Sequence, residues 1–139
     1  KLANPQGRDL YQFWGTQIAD YLNQRLRRDI SPVVVNLASQ EYFKAVDTKA
    51  LKARVVECVF QELHNGQYKV ISFSAKRARG MMARFAITHQ LVQPEQLRAF
   101  DSDGYVWDAA SSCPQRYVFR RKFLSQIGLQ PTSNKRKQL

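Results

Sequence analysis

Apolar residues recur at three- and four-residue spacing over the first part of the chain, at Leu10, Phe13, Trp14, Ile18, Tyr21, Leu22 and Leu26. That period predicts an amphipathic helix from Asp9, its cap, to about Arg28, with one buried stripe. Arg25, Arg27 and Arg28 crowd its last turn, where cations favour the negative end of the helix dipole. Gly15 inside such a helix costs about 1 kcal/mol against Ala, which points to close packing there. The pattern then changes to a nearly unbroken apolar run, Val33 to Ala38, of strand length. Such a run predicts a strand covered on both faces, most simply a central one. Ser39 is placed to cap a short helix from Gln40 to Val46.

Ala53 to Glu62 and Gln67 to Ser74 read as two strands joined by Asn65-Gly66, the dipeptide preferred in a type I′ hairpin turn. The second strand feeds into a helix. From Ala75, at about 100° per residue, Ala78, Met81, Met82, Phe85, Ala86 and His89 share one face. Lys76, Arg77, Arg79 and Arg84 take the other, around Gly80, Ala83 and Ile87. No acidic residue occurs between Lys69 and Pro94. A solvated helix face normally mixes signs, so this one reads as a binding surface for phosphates.

Pro94 and Glu95 mark the first turn of another short helix. Asp101-Ser102-Asp103-Gly104 resembles the opening of a calcium loop, but the Glu that such a loop needs is missing, so it is a turn. Tyr105–Trp107 and Tyr117–Phe119 read as a closing strand pair, with Arg116, Arg120, Arg121 and Lys122 adding positive charge. From Ser125 the chain turns polar and ends PTSNKRKQL, the composition of a mobile basic tail.

Charge sharpens this reading. Twenty-two Lys and Arg against eleven Asp and Glu leave +11, which calls for an anionic partner: nucleic acid, a phosphorylated small molecule, or an acidic region elsewhere in the same protein. At 139 residues the chain amounts to one domain. No apolar run is long enough to span a bilayer and no leader pattern opens the chain, so a cytoplasmic protein with no membrane partner is expected. The start at KLANPQG, inside what reads as a loop, suggests an excerpt. Cys58 and Cys113 are too few and too distant for a disulfide framework, and two singly placed His make a metal site improbable.

Chemistry is less legible. There is no phosphate-binding loop, no dinucleotide fingerprint and no hydrolase or zinc-protease signature, so no catalytic residue, metal or cofactor is expected. A looser polar set, Asn36, Glu41, Tyr42 and Lys44, collects just after the first strand. With Arg8 at the first helix it would form a pocket for a small anionic ligand only if the fold brings the two together. Strand ends are where ligands bind in open sheets with helical crossovers. Helix capping plus a surface ion pair accounts for the same residues equally well. An enzyme acting on a small anionic metabolite is therefore the alternative function.

Four blocks in order, GRDLYQFWG, VNLASQEYFKAV, KVISFSAKRARGMMARF and FDSDGYVWD, resemble the motifs of the bacterial YaaA family, the peroxide stress resistance proteins. The resemblance runs from Lys1 to about Arg121. It implies an α+β fold, a single domain with a mixed sheet, a β-hairpin and flanking helices. Residues 1–122 would be the C-terminal half of that larger fold, with 123–139 a basic tail. It further implies a cytoplasmic role in bacterial peroxide stress, linked to iron homeostasis and to binding double-stranded DNA through a positively charged cleft. The missing N-terminal half would be a partner and would carry the family's helix-hairpin-helix element. The DNA-binding residues expected here are Lys76, Arg77, Arg79, Arg84, Arg116, Arg120 and Arg121.

Overall fold

The computed structural model describes residues 10–122; the opening loop with Arg8 and the basic tail lie outside them. Two compact units result, divided between Glu57 and Cys58. The secondary structure is α+β, with a mixed five-stranded sheet.

In the first unit, helix α1 spans Leu10–Leu26. Its inward side is marked by Ala19, fully buried, and by Asn23. The Asn23 amide uses both of its functions: Nδ2 donates to the Ala50 carbonyl (2.8 Å) and Oδ1 accepts from the Lys52 amide (2.7 Å). Gly15 proves less crowded than expected. A Cβ there would meet Asp47 Cβ at 3.8 Å and the Ala45 carbonyl oxygen at 3.9 Å, ordinary contacts. Strand β1, Val33–Asn36, pairs in parallel with Arg54–Glu57 of strand β2 (Arg54–His64). Among the described residues β1 has one neighbour and stands at the edge of the sheet, whereas its apolar run predicts a central strand. An unbroken apolar run reports cover over the two faces and says nothing about neighbours along the ladder. Helix α2 is shorter than expected, Gln40–Phe43, with the Ser39 hydroxyl accepting from the Tyr42 amide as an N-cap.

The second unit begins as β2 continues into the hairpin with β3, Gln67–Lys69. Asn65 and Gly66 both take positive φ, 51° and 77°, as a type I′ turn requires. The second hairpin strand ends at Lys69 rather than Ser74, because helix α3 begins at Ser72 and runs to Thr88. Ala75, Ala78 and Met82 form its buried side. After 3-10 turns at Pro94–Ala99 and Ser102–Gly104, strand β4 (Val106–Trp107) pairs antiparallel with β5 (Arg116–Lys122). The core is aromatic: Phe60 stacks on Phe119 at 5.2 Å and meets Phe100 and Tyr105 edge-on at 5.9 and 5.4 Å. Phe85 of α3 joins it through Phe100 at 5.6 Å, which fixes the helix on that core.

Candidate nucleic-acid interface

Helix α3 separates its residues by burial. With Ala75, Ala78 and Met82 facing inward, the opposite side carries Phe73, Lys76, Arg77, Gly80, Arg84 and Ile87, all exposed. Arg77 and Arg84 stand two turns apart, about 10 Å along the axis. Gly80 lies between them, and a Cβ there would meet nothing within 4 Å. The surface is a shallow notch bordered by guanidinium groups, open to a phosphate chain. Arg79 is separated from this group. Two positions after Arg77, it points to another side of the helix and is only half-exposed.

The cations of β5 have other employment. The Arg120 guanidinium lies 4.2 Å over the Tyr68 ring, donates from Nε to Gln61 Oε1 at 2.9 Å and sits 3.3 Å from Asp108 Oδ2. Arg121 is turned inward. Its Nε donates to Glu62 Oε1 at 3.2 Å, and its Nη1 donates to the Asp103 carbonyl at 3.0 Å and to Asp103 Oδ2 at 2.7 Å. Its charge is spent on two carboxylates, so it is unsuited to a phosphate. Arg116 at the start of β5 is exposed. The structure thus brings Lys76, Arg77 and Arg84 together and holds Arg120 and Arg121 in ion pairs of their own.

Sequence reasoning missed the group Arg121 serves. Glu62 is 1 % exposed, on a strand where alternation alone marks its position as inward. Its carboxylate accepts from Arg121, contacts His64 Nε2 at 3.0 Å and receives the Tyr105 hydroxyl at 3.4 Å. Burial by itself would raise this carboxyl. Hydrogen bonds from Ser74, His64 and Arg121, with the Arg121 charge, outweigh it and hold the carboxyl down at about 2. Burial in turn pushes the Tyr105 hydroxyl up to about 12, against the pull of Arg121. Ser74, one of the groups that lower the Glu62 carboxyl in this buried clamp, lies in the first turn of α3. The Asp-x-Asp-Gly segment acquires a role as well. Asp103 takes a positive φ of 57° and closes on Arg121. No group of three potential metal ligands occurs among the described residues.

The polar set of the first unit divides differently. The Tyr11 hydroxyl donates to Glu41 Oε1 at 2.5 Å and Lys44 Nζ lies 3.3 Å from Glu41 Oε2, so the hydrogen bond from Tyr11, then Lys44, lowers the Glu41 carboxyl. Asn36 is buried, but its Oδ1 accepts the Ala38 amide at 2.9 Å, which makes it a turn-former at the strand end. Tyr42 is 76 % exposed. An open cleft of about 570 Å³ lies beside Tyr11, Gly15, Lys44 and Lys49, and neither Asn36 nor Tyr42 lines it. Of Asn36, Glu41, Tyr42 and Lys44, only Lys44 lines this cleft. No described helix is long and apolar enough to cross a membrane.

Comparison with known proteins agrees with the four blocks. Residues 1–111 match the family described as "Peroxide stress protein YaaA". A UPF0246 protein of Albidiferax ferrireducens is 70% identical over 122 residues, 88% of this chain and 47% of the relative. UPF0246 proteins of Bordetella petrii and Paracidovorax citrulli are 62% and 63% identical, again over 88% of this chain and under half of their own length. The chain thus spans about half the length of these curated relatives. With a family match over four-fifths of its residues, the chain belongs to the YaaA peroxide stress protein family.

Proposed function

We propose that this chain binds double-stranded DNA without reading its sequence, through the exposed face of α3, and that such binding serves peroxide resistance by keeping iron-driven damage away from DNA. One observation carries the reading: Lys76, Arg77 and Arg84 stand exposed together in a stretch, Lys69 to Pro94, that holds no acidic residue. Phosphate contacts position a protein on a duplex, while the Asn and Gln side chains that pair with adenine edges are among those that read its sequence. The exposed side of α3 offers cations and a bare glycine, with no amide side chain among them.

The test is duplex binding at several salt concentrations. Each neutralised phosphate contributes about −0.9 to the slope of log K against log salt, so replacing Lys76, Arg77 and Arg84 by Ala flattens the slope by about 2.7. Replacing Arg27, Arg28 and Lys52 by Ala removes the same charge from elsewhere and leaves the slope in place. Equal losses from both triple variants would show that net charge alone attracts DNA, and the reading would fall. For the protective role, saturating protein slows iron- and peroxide-driven cleavage of a plasmid, and the α3 variant does not.

Gly80 separates stability from binding. In an exposed helix interior with nothing nearby, Gly80→Ala raises unfolding stability by about 1 kcal/mol, read in urea. Gly80→Gln gains nearly as much in helix propensity but fills the notch, and duplex affinity drops. Unchanged affinity in Gly80→Gln would mean that the backbone is not approached.

A further inference from the structure

Helix α1 has a second side that stands exposed among the described residues. Ala19 and the doubly bonded Asn23 mark where it is docked. On the outer side, Trp14 is 45 % and Tyr21 60 % exposed, and Ile18 is half-buried between them. Spacings of four and three place the three on one line about 10 Å long. Trp14 is not loosely placed, because the Phe13 ring meets it edge-on at 4.9 Å. Just past the helix Ile30 is fully exposed.

Single exposed apolar residues are ordinary on a protein surface. An aromatic–aliphatic–aromatic line at i, i+4 and i+7 is the arrangement by which an amphipathic helix seats in an apolar groove. Trp and Tyr are also the residue types enriched where interface energy concentrates.

We infer that the Trp14–Ile18–Tyr21 line of α1 is an intramolecular docking surface, covered by the stretch of the full-length family protein that this chain does not match. The Albidiferax relative shares 70% identity over the matched part, yet that part is only 47% of its length. More than half of such a protein is therefore available to cover this line. The occupant presents an apolar face to the two rings and a carboxylate to Arg25, which follows Tyr21 by one turn on the same side. This inference is independent of DNA binding by α3.

The experiment uses a full-length chimera in which residues 1–122 replace the matched region of the Albidiferax relative, with this chain alone as reference. Hydroxyl-radical footprinting read by mass spectrometry reports Trp14 and Tyr21 directly. Both oxidise readily in the chain alone and several-fold more slowly in the chimera. Replacing both by Ser leaves the melting temperature of the chain alone unchanged and lowers that of the chimera. Equal oxidation in the two proteins, or equal tolerance of the double substitution, overturns the inference. So does protection that appears in the chain alone as its concentration rises, because the occupant would then be a second copy.

Discussion

Arg121→Met lowers the stability of the chain by about 3–5 kcal/mol, the cost of leaving a buried carboxylate without its partner. Glu62 is 1 % exposed and cannot recover its hydration in place. Arg121 is its main cation, and the same guanidinium also reaches Asp103 and lies 4.5 Å over the Tyr105 ring. Arg121→Lys falls short as well, since an ammonium cannot present the planar fork that serves two carboxylates at once. The pair itself contributes less than its rupture costs. Glu62→Leu combined with Arg121→Met removes both charges, and that double variant recovers most of the loss. Urea unfolding of the two single variants and the double decides the matter. A single variant within 1 kcal/mol of the parent, or a double no more stable than Arg121→Met, would show that the clamp does not hold the fold.

The same variants bear on DNA binding through Ser74. Glu62 of β2 pairs with Arg121 of β5, and Ser74 in the first turn of α3 also lowers the Glu62 carboxyl. Loss of the pair is therefore expected to shift the basic face. In a folded Arg121 variant, a weakened duplex affinity with an unchanged salt slope marks a displaced helix. A flattened slope marks Arg121 as a phosphate contact, contrary to its geometry.

Local chemistry was legible in the sequence where it is decided locally. Asn65-Gly66 fixes the hairpin because both residues must take positive φ, and they do. The Ser39 cap and the inward positions Ala78 and Met82 of α3 follow from spacing, while His89, counted on the same face, is exposed at the helix end. What eluded the sequence depends on partners distant along the chain. Arg120 and Arg121 read as a cationic run, yet each finds a carboxylate and an aromatic ring elsewhere in the chain. Glu62 reads as a charge at a strand end until the fold closes over it. The three valines of β1 predict cover but not the number of neighbours. Arg79 was legible and was misassigned: at about 100° per residue it lies about 200° from Arg77, whereas Arg84 falls within about 20° of it, so Arg79 does not belong to the same face. One signal for the clamp was present. Glu62 follows Val56, Cys58 and Phe60 in the inward register of its strand, and an acid there requires a partner from some other element.

Acid reveals the clamp without any substitution. The Glu62 carboxyl titrates at about 2 in the folded chain and at an ordinary 4.5 once unfolded. A depressed folded value means that its contribution is fully present above about pH 4.5 and is lost as pH falls through that window towards 2. Over the whole window the loss amounts to about 3 kcal/mol. The groups facing Glu62 separate its share from theirs. Arg121 stays charged throughout, held up by its hydrogen bond to Glu62 against its own burial. The Tyr105 hydroxyl, pushed up to about 12, does not titrate anywhere near. Measured as urea stability against pH, Glu62→Gln starts lower at neutral pH and declines much less between pH 4.5 and 2. Glu41→Gln, by contrast, leaves the acid decline intact, because the Glu41 carboxylate is exposed and its ion pair with Lys44 is screened by solvent. If Glu62→Gln keeps the full decline, some other carboxylate controls acid unfolding.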